Sequence, residues 1–408
     1  MLSRASVGLR RHPVWQCGFR PFFLVTAASA AVLVPAWLAM LAGLLPMPVF
    51  PGGPVAWHVH ELVMGFGLAS VLGFSLTAVP EFTGTPAFRR RLTIGLFSLW
   101  LLSRLLVLLL PWTGPWPLAV AQSALCLGLL AAIAPPMWHD PTRRHRELGW
   151  GFVVLLLAAA AVSLDLALGG RLLGTPIDGL RLVLHLMLLL IVLTLARISM
   201  RVVNRHLAEA GAEPDYLARP PRRQIAALLI LLHALAVLVG LQGAAGWLAL
   251  GAGLACLGLL SDWPHTRVLL RRWVALLYAL PWLLGAGYLL DGAARLGAPL
   301  PPSAGEHLLA VGALGLAVFA VLCIAGRTHA GLGLDERRWL PFAAGLLVGA
   351  ALLRTLAGLA GFPTLPLWWV AGLLWTAAFG LWLLRIGPDL ARRRNDGGWG
   401  CAGPMNKD

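Results

Sequence analysis

Charge is scarce in this chain. Only 12% of its 408 residues are Asp, Glu, Lys or Arg, against roughly 25% in a soluble domain. That scarcity excludes an ordinary soluble enzyme and a disordered protein. Cysteine is also scarce. Cys17, Cys126, Cys256, Cys323 and Cys401 are scattered, with no Cys-x-x-Cys, and they read as unpaired small hydrophobes without a disulfide framework. No Gly-rich loop joins a strand to a helix, so nucleotide-driven chemistry has no support. Short alternating segments are missing, which excludes an outer-membrane barrel.

What fills the chain is apolar. Hydrophobic residues make up 59%, and 46 glycines come on top of that. Long apolar runs fall near 20–45, 55–80, 92–111, 115–137, 148–169, 178–203, 223–242, 244–261, 268–291, 305–327, 340–361 and 364–386. Each has about the ~20 residues a bilayer core demands. The expected fold is all-α, a polytopic bundle of twelve transmembrane helices whose partner is the lipid bilayer. Pro46 to Pro48, Pro111 to Pro117, Pro135-Pro136 and Pro299 to Pro302 punctuate the connections.

The net charge of +15 looks like a nucleic-acid footprint until it is placed. Arg4, Arg10, Arg11 and Arg20 precede the first run, and Arg89 to Arg91, Arg143, Arg144 and Arg146 come after the second and fourth. The same alternation continues to Arg385 and Arg392 to Arg394. Arg171, Arg181 and Arg295 fall on the opposite side, and Arg104, Arg197 and Arg354 within helices. That bias puts both termini in the cytoplasm and leaves no nucleic-acid partner. A basic start before Ala28-Ser29-Ala30 resembles a signal peptide, but the apolar run continues to Leu45, so the segment reads as an uncleaved first helix. The expected organisation is a cytoplasmic segment 1–19, a membrane domain 20–386 with possible halves 20–203 and 223–386, and a tail 387–408. Gly65, Ala69 and Gly73, and Gly345 and Gly349, suggest close helix packing. Trp112, Trp116, Trp138, Trp247, Trp263, Trp339 and Trp368 suggest interfacial belts.

Ionisable groups inside a bilayer are expensive and therefore informative. The second helix opens with Trp57-His58-Val59-His60-Glu61. His185 lies about two turns into the sixth helix, with Arg181 four residues earlier on the same face. His233 lies near the middle of the seventh, and His307 begins the tenth beside Glu306. In the expected topology these histidines converge on the outer half of the membrane. Neutral imidazole suits haem iron and copper, so His58, His60, His185, His233 and His307 are candidate metal ligands. His58 and His60 point about 200° apart on a regular helix, so they serve two sites on its opposite sides, or one is a ligand and the other structural. Glu61 and Arg181 are candidate supporting partners that orient a ring. Arg104 and Arg354 suit haem propionates, or else an internal ion pair such as Arg354 with Asp165. Glu81 reads as a solvated boundary residue, and Pro35, Pro80 and Pro281 as kinks or helix ends.

Several of these segments resemble one family. Gly18-Phe19-Arg20-Pro21-Phe22-Phe23, Trp57-His58-x-His60-Glu61-Leu62-x-Met64-Gly65-Phe66 and Gly73-Phe74-Ser75-Leu76-Thr77-Ala78-Val79-Pro80 with Thr83-Gly84 are similar to segments of NnrS-family proteins. The resemblance implies a bacterial inner-membrane protein containing haem and copper, linked to nitric oxide metabolism, denitrification and resistance to nitrosative stress. It carries over most directly to His58, His60 and Glu61, and more loosely to His307 and Arg327. Two segments depart from the family pattern. Of the stretch Ala196 to Asn204 only Arg197 matches, and Arg327-Thr328-His329-Ala330-Gly331 replaces a Gly-His-Thr-Gly-Arg run. The chain therefore reads as a divergent branch. Two other readings stand beside it: a secondary transporter, resting on Arg104, Asp165 and Arg354, and a haem-copper nitric oxide reductase. An enzymatic role is the less favoured.

Overall fold

The computed structural model describes residues 12–359, 361–394 and 396. Among them it has helices and no strand. Twelve helices are long and apolar enough to cross a membrane. We number them α1 Phe19–Leu41, α2 Gly53–Thr83, α3 Arg90–Leu108, α4 Pro115–Trp138, α5 Arg146–Ala167, α6 Pro176–Glu209, α7 Pro220–Leu238, α8 Gln242–Asp262, α9 Arg272–Arg295, α10 Pro302–Thr328, α11 Trp339–Leu356 and α12 Thr364–Arg385. The chain is a multi-pass membrane protein, as the twelve runs anticipate. Helix is the form such runs must take, because hydrocarbon offers the backbone no other partner.

Local chemistry sets the ends. Prolines open α4, α7 and α10, where a missing N–H costs nothing. Gly84 closes α2 at φ 64°, a left-handed cap that a Cβ would strain. Pro135 and Pro136, expected in a connection, lie inside the last turn of α4. Pro35, Pro80 and Pro281 lie inside α1, α2 and α9. α7 ends at Leu238, so His233 sits near its end and not in its middle. Arg104 likewise lies in the last turns of α3.

The chain divides into two compact units. One holds the residues up to Leu180, Val321–Arg337 and those from Phe379 onward. The other holds Arg181–Ala320 and Arg338–Ala378. In the second unit α8 and α9 approach through glycine. A Cβ on Gly253 would stand 2.8 Å from the Gly285 carbonyl oxygen, and one on Gly292 2.8 Å from that of Gly246. Gly345, expected to pack closely, has nothing within 4 Å of its Cβ position.

Three other expectations are corrected. Cys17 is disulfide-bonded. Cys126, Cys256 and Cys323 are free and buried, and Cys401 lies outside the described residues. Spacing along the chain shows no sign of a bond that only folding brings within reach. Trp263 is buried, 5.2 Å from the ring of Tyr216, whereas Trp112, Trp116 and Trp247 are exposed as a belt requires. α6 runs past its apolar stretch to Glu209, where Arg205 pairs with Glu209 one turn on. The loop beyond folds back on it. Asn204 accepts from the Tyr216 amide (2.9 Å) and donates to its carbonyl (3.0 Å), and the Tyr216 hydroxyl meets Ser199 Oγ at 3.1 Å. Burial pushes the Tyr216 phenol up to about 12, the Ser199 hydrogen bond opposing and the Asp262 charge adding to it.

Gly292→Ala overpacks a backbone contact and should destabilise the protein by about 1–3 kcal/mol, whereas Gly345→Ala should leave it unchanged, both read by thermal unfolding in detergent. The folded Tyr216 holds its proton above the unfolded value near 10. Its contribution is therefore complete below about pH 10 and declines toward about pH 12. In melts across that range, wild type should lose stability relative to Tyr216→Phe as pH rises.

Candidate functional site

The candidate histidines fall into assemblies that each lie within one unit. In the first unit, His60 is 2% exposed. Its Nδ1 is 2.9 Å from Glu61 Oε1, and Glu61 also accepts from Arg104 Nη1. An ionised Glu61 only accepts, so Nδ1 carries the proton. Nε2 then accepts from the Gln122 amide at 2.9 Å, and Gln122 Oε1 accepts from Ser163 Oγ at 3.2 Å. With Glu61 accepting at Nδ1 and the Gln122 amide donating at Nε2, the network fixes one tautomer. Gly65 makes room for it. A Cβ there would meet Arg104 Nη1 at 3.1 Å, and the Gly65 carbonyl accepts from Trp100 Nε1. A cavity of about 310 Å³, including the part open to solvent, runs from His60, Met64, Gln122 and Ser163 past Asp165 toward Thr175. His58 faces elsewhere, its ring stacked on Trp37 with centroids 4.8 Å apart.

In the second unit α6, α7 and α9 bring His185, His233 and Tyr288 together. The two imidazoles stand 4.7 Å apart and nearly perpendicular, at 89°. They are 1% and 0% exposed. His185 Nδ1 is 3.0 Å from the Tyr288 hydroxyl. His233 Nδ1 is 3.0 Å from the Ala245 carbonyl, which accepts only, so this nitrogen carries a proton. His233 Nε2 faces Asp291 Oδ2 at 3.4 Å, an ion pair when the ring is protonated and two facing acceptors when it is neutral. His185 Nε2, His233 Nε2 and Asp291 Oδ1 are buried with no hydrogen-bond partner.

Asp291 belongs to an ion network. Arg295 Nε lies 2.8 Å from its Oδ2, Arg295 Nη2 3.6 Å from Glu306 Oε1, and Arg181 Nε 2.8 Å from the same Glu306 oxygen. Arg181 thus pairs with Glu306. His307 Nδ1 donates to the Ser303 carbonyl at 2.6 Å. Arg354 lies over the Trp368 ring at 5.0 Å. Asp165 accepts from the amides of Leu172 and Leu173. Glu81, exposed at the end of α2 as a boundary residue should be, has Oε2 3.3 Å from His329 Nε2.

Sequence reasoning passed over Gln122, Ser163, Tyr288 and Asp291. Each is a polar residue inside an apolar run, and that is the signal that would have found them. It also passed over a repeat. Both α2 and α10 turn π-helical directly after a histidine, over Glu61–Gly67 and Leu308–Leu314. Pro54, His60, Leu62, Gly65, Gly84, Arg90 and Arg91 recur at identical spacing as Pro301, His307, Leu309, Gly312, Gly331, Arg337 and Arg338. Gly84 and Gly331 share a positive φ, 64° and 79°. π segments inside α-helices concentrate at functional sites.

Glu61→Gln leaves Arg104 without its carboxylate, 13% exposed at the side chain. Breaking such a pair should cost about 3–5 kcal/mol. Removing both charges, in Glu61→Gln with Arg104→Met, should recover most of the loss in the same thermal assay.

Among the described residues no group of three or more His, Cys, Asp or Glu side chains is placed to hold a metal ion. The donor set the structure does assemble is the His185–His233 pair. No curated protein matches the chain. The family model described as NnrS protein matches residues 13–394, nearly the whole length and all twelve membrane helices, so the chain belongs to the NnrS family.

Proposed function

We propose that this protein is a bacterial inner-membrane metalloprotein, with both termini cytoplasmic, that binds copper and acts in nitric oxide metabolism or resistance to nitrosative stress. The observation that supports copper is the His185–His233 pair. Two buried imidazoles have Nε2 atoms without a hydrogen-bond partner, and imidazole is a donor that copper accepts. The Ala245 carbonyl and the Tyr288 hydroxyl hold the Nδ1 sides, as the outer partners of metal-bound histidines do. Copper bound there would supply an open coordination position for nitric oxide. His185 and His233 bind and orient. Tyr288 and Ala245 fix the rings, and the surrounding apolar side chains exclude water.

Haem, which the family resemblance also implies, does not fit the His60 cavity. That cavity is too small for a porphyrin, and both His60 nitrogens are already engaged. A transport role would rest on Arg104, Asp165 and Arg354, which are held by Glu61, by loop amides and by Trp368.

The test is elemental analysis and absorption spectroscopy of purified protein from copper- and haem-replete cells, oxidised and reduced, with and without nitric oxide. Wild type should carry about one copper per chain and respond to nitric oxide. His185→Ala and His233→Ala should each lower copper occupancy at least tenfold while the helical content stays. Copper-free, colourless wild-type protein, with Asp291 instead neutralised by a proton, would refute the reading.

A further inference from the structure

Arg20 stands in the first turn of α1 and is fully enclosed, 0% exposed. A buried cation is stable only when it is compensated. Its Nη1 donates to the carbonyls of Pro13 (3.5 Å), Leu390 (3.1 Å) and Arg392 (2.6 Å), and the Phe19 ring lies 5.8 Å away. None of these carries a charge. Among the described residues no carboxylate pairs with Arg20. Asp389 lies 3.8 Å from Arg327 and Asp396 2.5 Å from Arg394.

The two remaining nitrogens, Nε and Nη2, have no partner. They form the side-on edge of the guanidinium, which grips two oxygens of one oxyanion. The helix adds the same preference. The first turn of α1 has no acidic residue and no side-chain cap, and the dipole of a 23-residue helix favours an anion there. Gly18 cannot supply a substitute, because a Cβ would stand 2.4 Å from Leu76 Cβ.

We propose that Arg20 and the opening turn of α1 form an oxyanion site that takes a phosphate-type group, Nε and Nη2 holding two of its oxygens. A phospholipid headgroup and free inorganic phosphate share that chemistry. The site is independent of the copper reading, since it shares no residue with it. The carbonyls of Leu390 and Arg392 close it on one side, so binding is measured after equilibration.

The experiment uses full-length protein in detergent. One arm titrates inorganic phosphate, with chloride at matched ionic strength, and reads the melting temperature. The other counts phospholipid retained per chain by native mass spectrometry. A saturable rise with phosphate and not chloride, weakened at least tenfold in Arg20→Lys, assigns a free anion. One phospholipid retained by wild type and lost from Arg20→Lys assigns a headgroup. Neither response in wild type, or the same response in Arg20→Lys, overturns the proposal. Where Arg20→Lys does not fold, Gln16→Glu tests the same site. Its carboxylate, four residues before Arg20 in the chain, should compete with phosphate and abolish the wild-type response, and an undiminished response overturns the proposal.

Discussion

Glu61 and Arg104 show what governs the interior of this protein. Neither charge could stay in an apolar bundle alone, and their pairing dictates the hydrogen bonds around them. Because Glu61 is held ionised by Arg104, it can only accept. His60 must therefore present Nδ1–H to it, and Nε2 must accept from Gln122. One ion pair thus sets a tautomer two hydrogen bonds away. In water each group would have chosen freely. Here each choice is imposed by a neighbour, because no solvent stands ready to correct a mismatch.

The His185–His233 assembly obeys the same rule with one link open. The Ala245 carbonyl dictates the His233 proton as firmly as Glu61 dictates that of His60. At the far nitrogen, however, the ring faces an aspartate oxygen at 3.4 Å. The first assembly closes on itself, whereas the second ends on a contact that a proton or another cation between the two groups satisfies. That contrast, more than the presence of histidine, separates the second assembly from the first.

The fold was largely legible in the sequence, because hydropathy acts over twenty residues at a time and tolerates error at the ends. α7 stopping at Leu238 moved His233 by a turn without changing the count of helices. The sites were legible only in part. Glu61 beside His60 is a local relation, and its role as a ring partner could be foreseen. Gln122 with Ser163, or Asp291 with His233, join residues from different helices, and nothing along the chain records which helix faces which. The disulfide at Cys17 was hidden for the same reason. An aromatic ring at Arg354 and two loop amides at Asp165 are partners that charge sign along the chain does not reveal.

The π segments behind His60 and His307 have a geometric consequence. Such a turn is an α-helix with one residue too many, and each residue of an α-helix advances the phase by about 100°. The surplus residue therefore acts as an angular offset between the imidazole and everything downstream of it. Deleting it would keep the length and greasiness that let the helix cross the membrane, and would swing the ring about a quarter-turn from its partners. In both places the direction of a histidine is written in the residues that come after it.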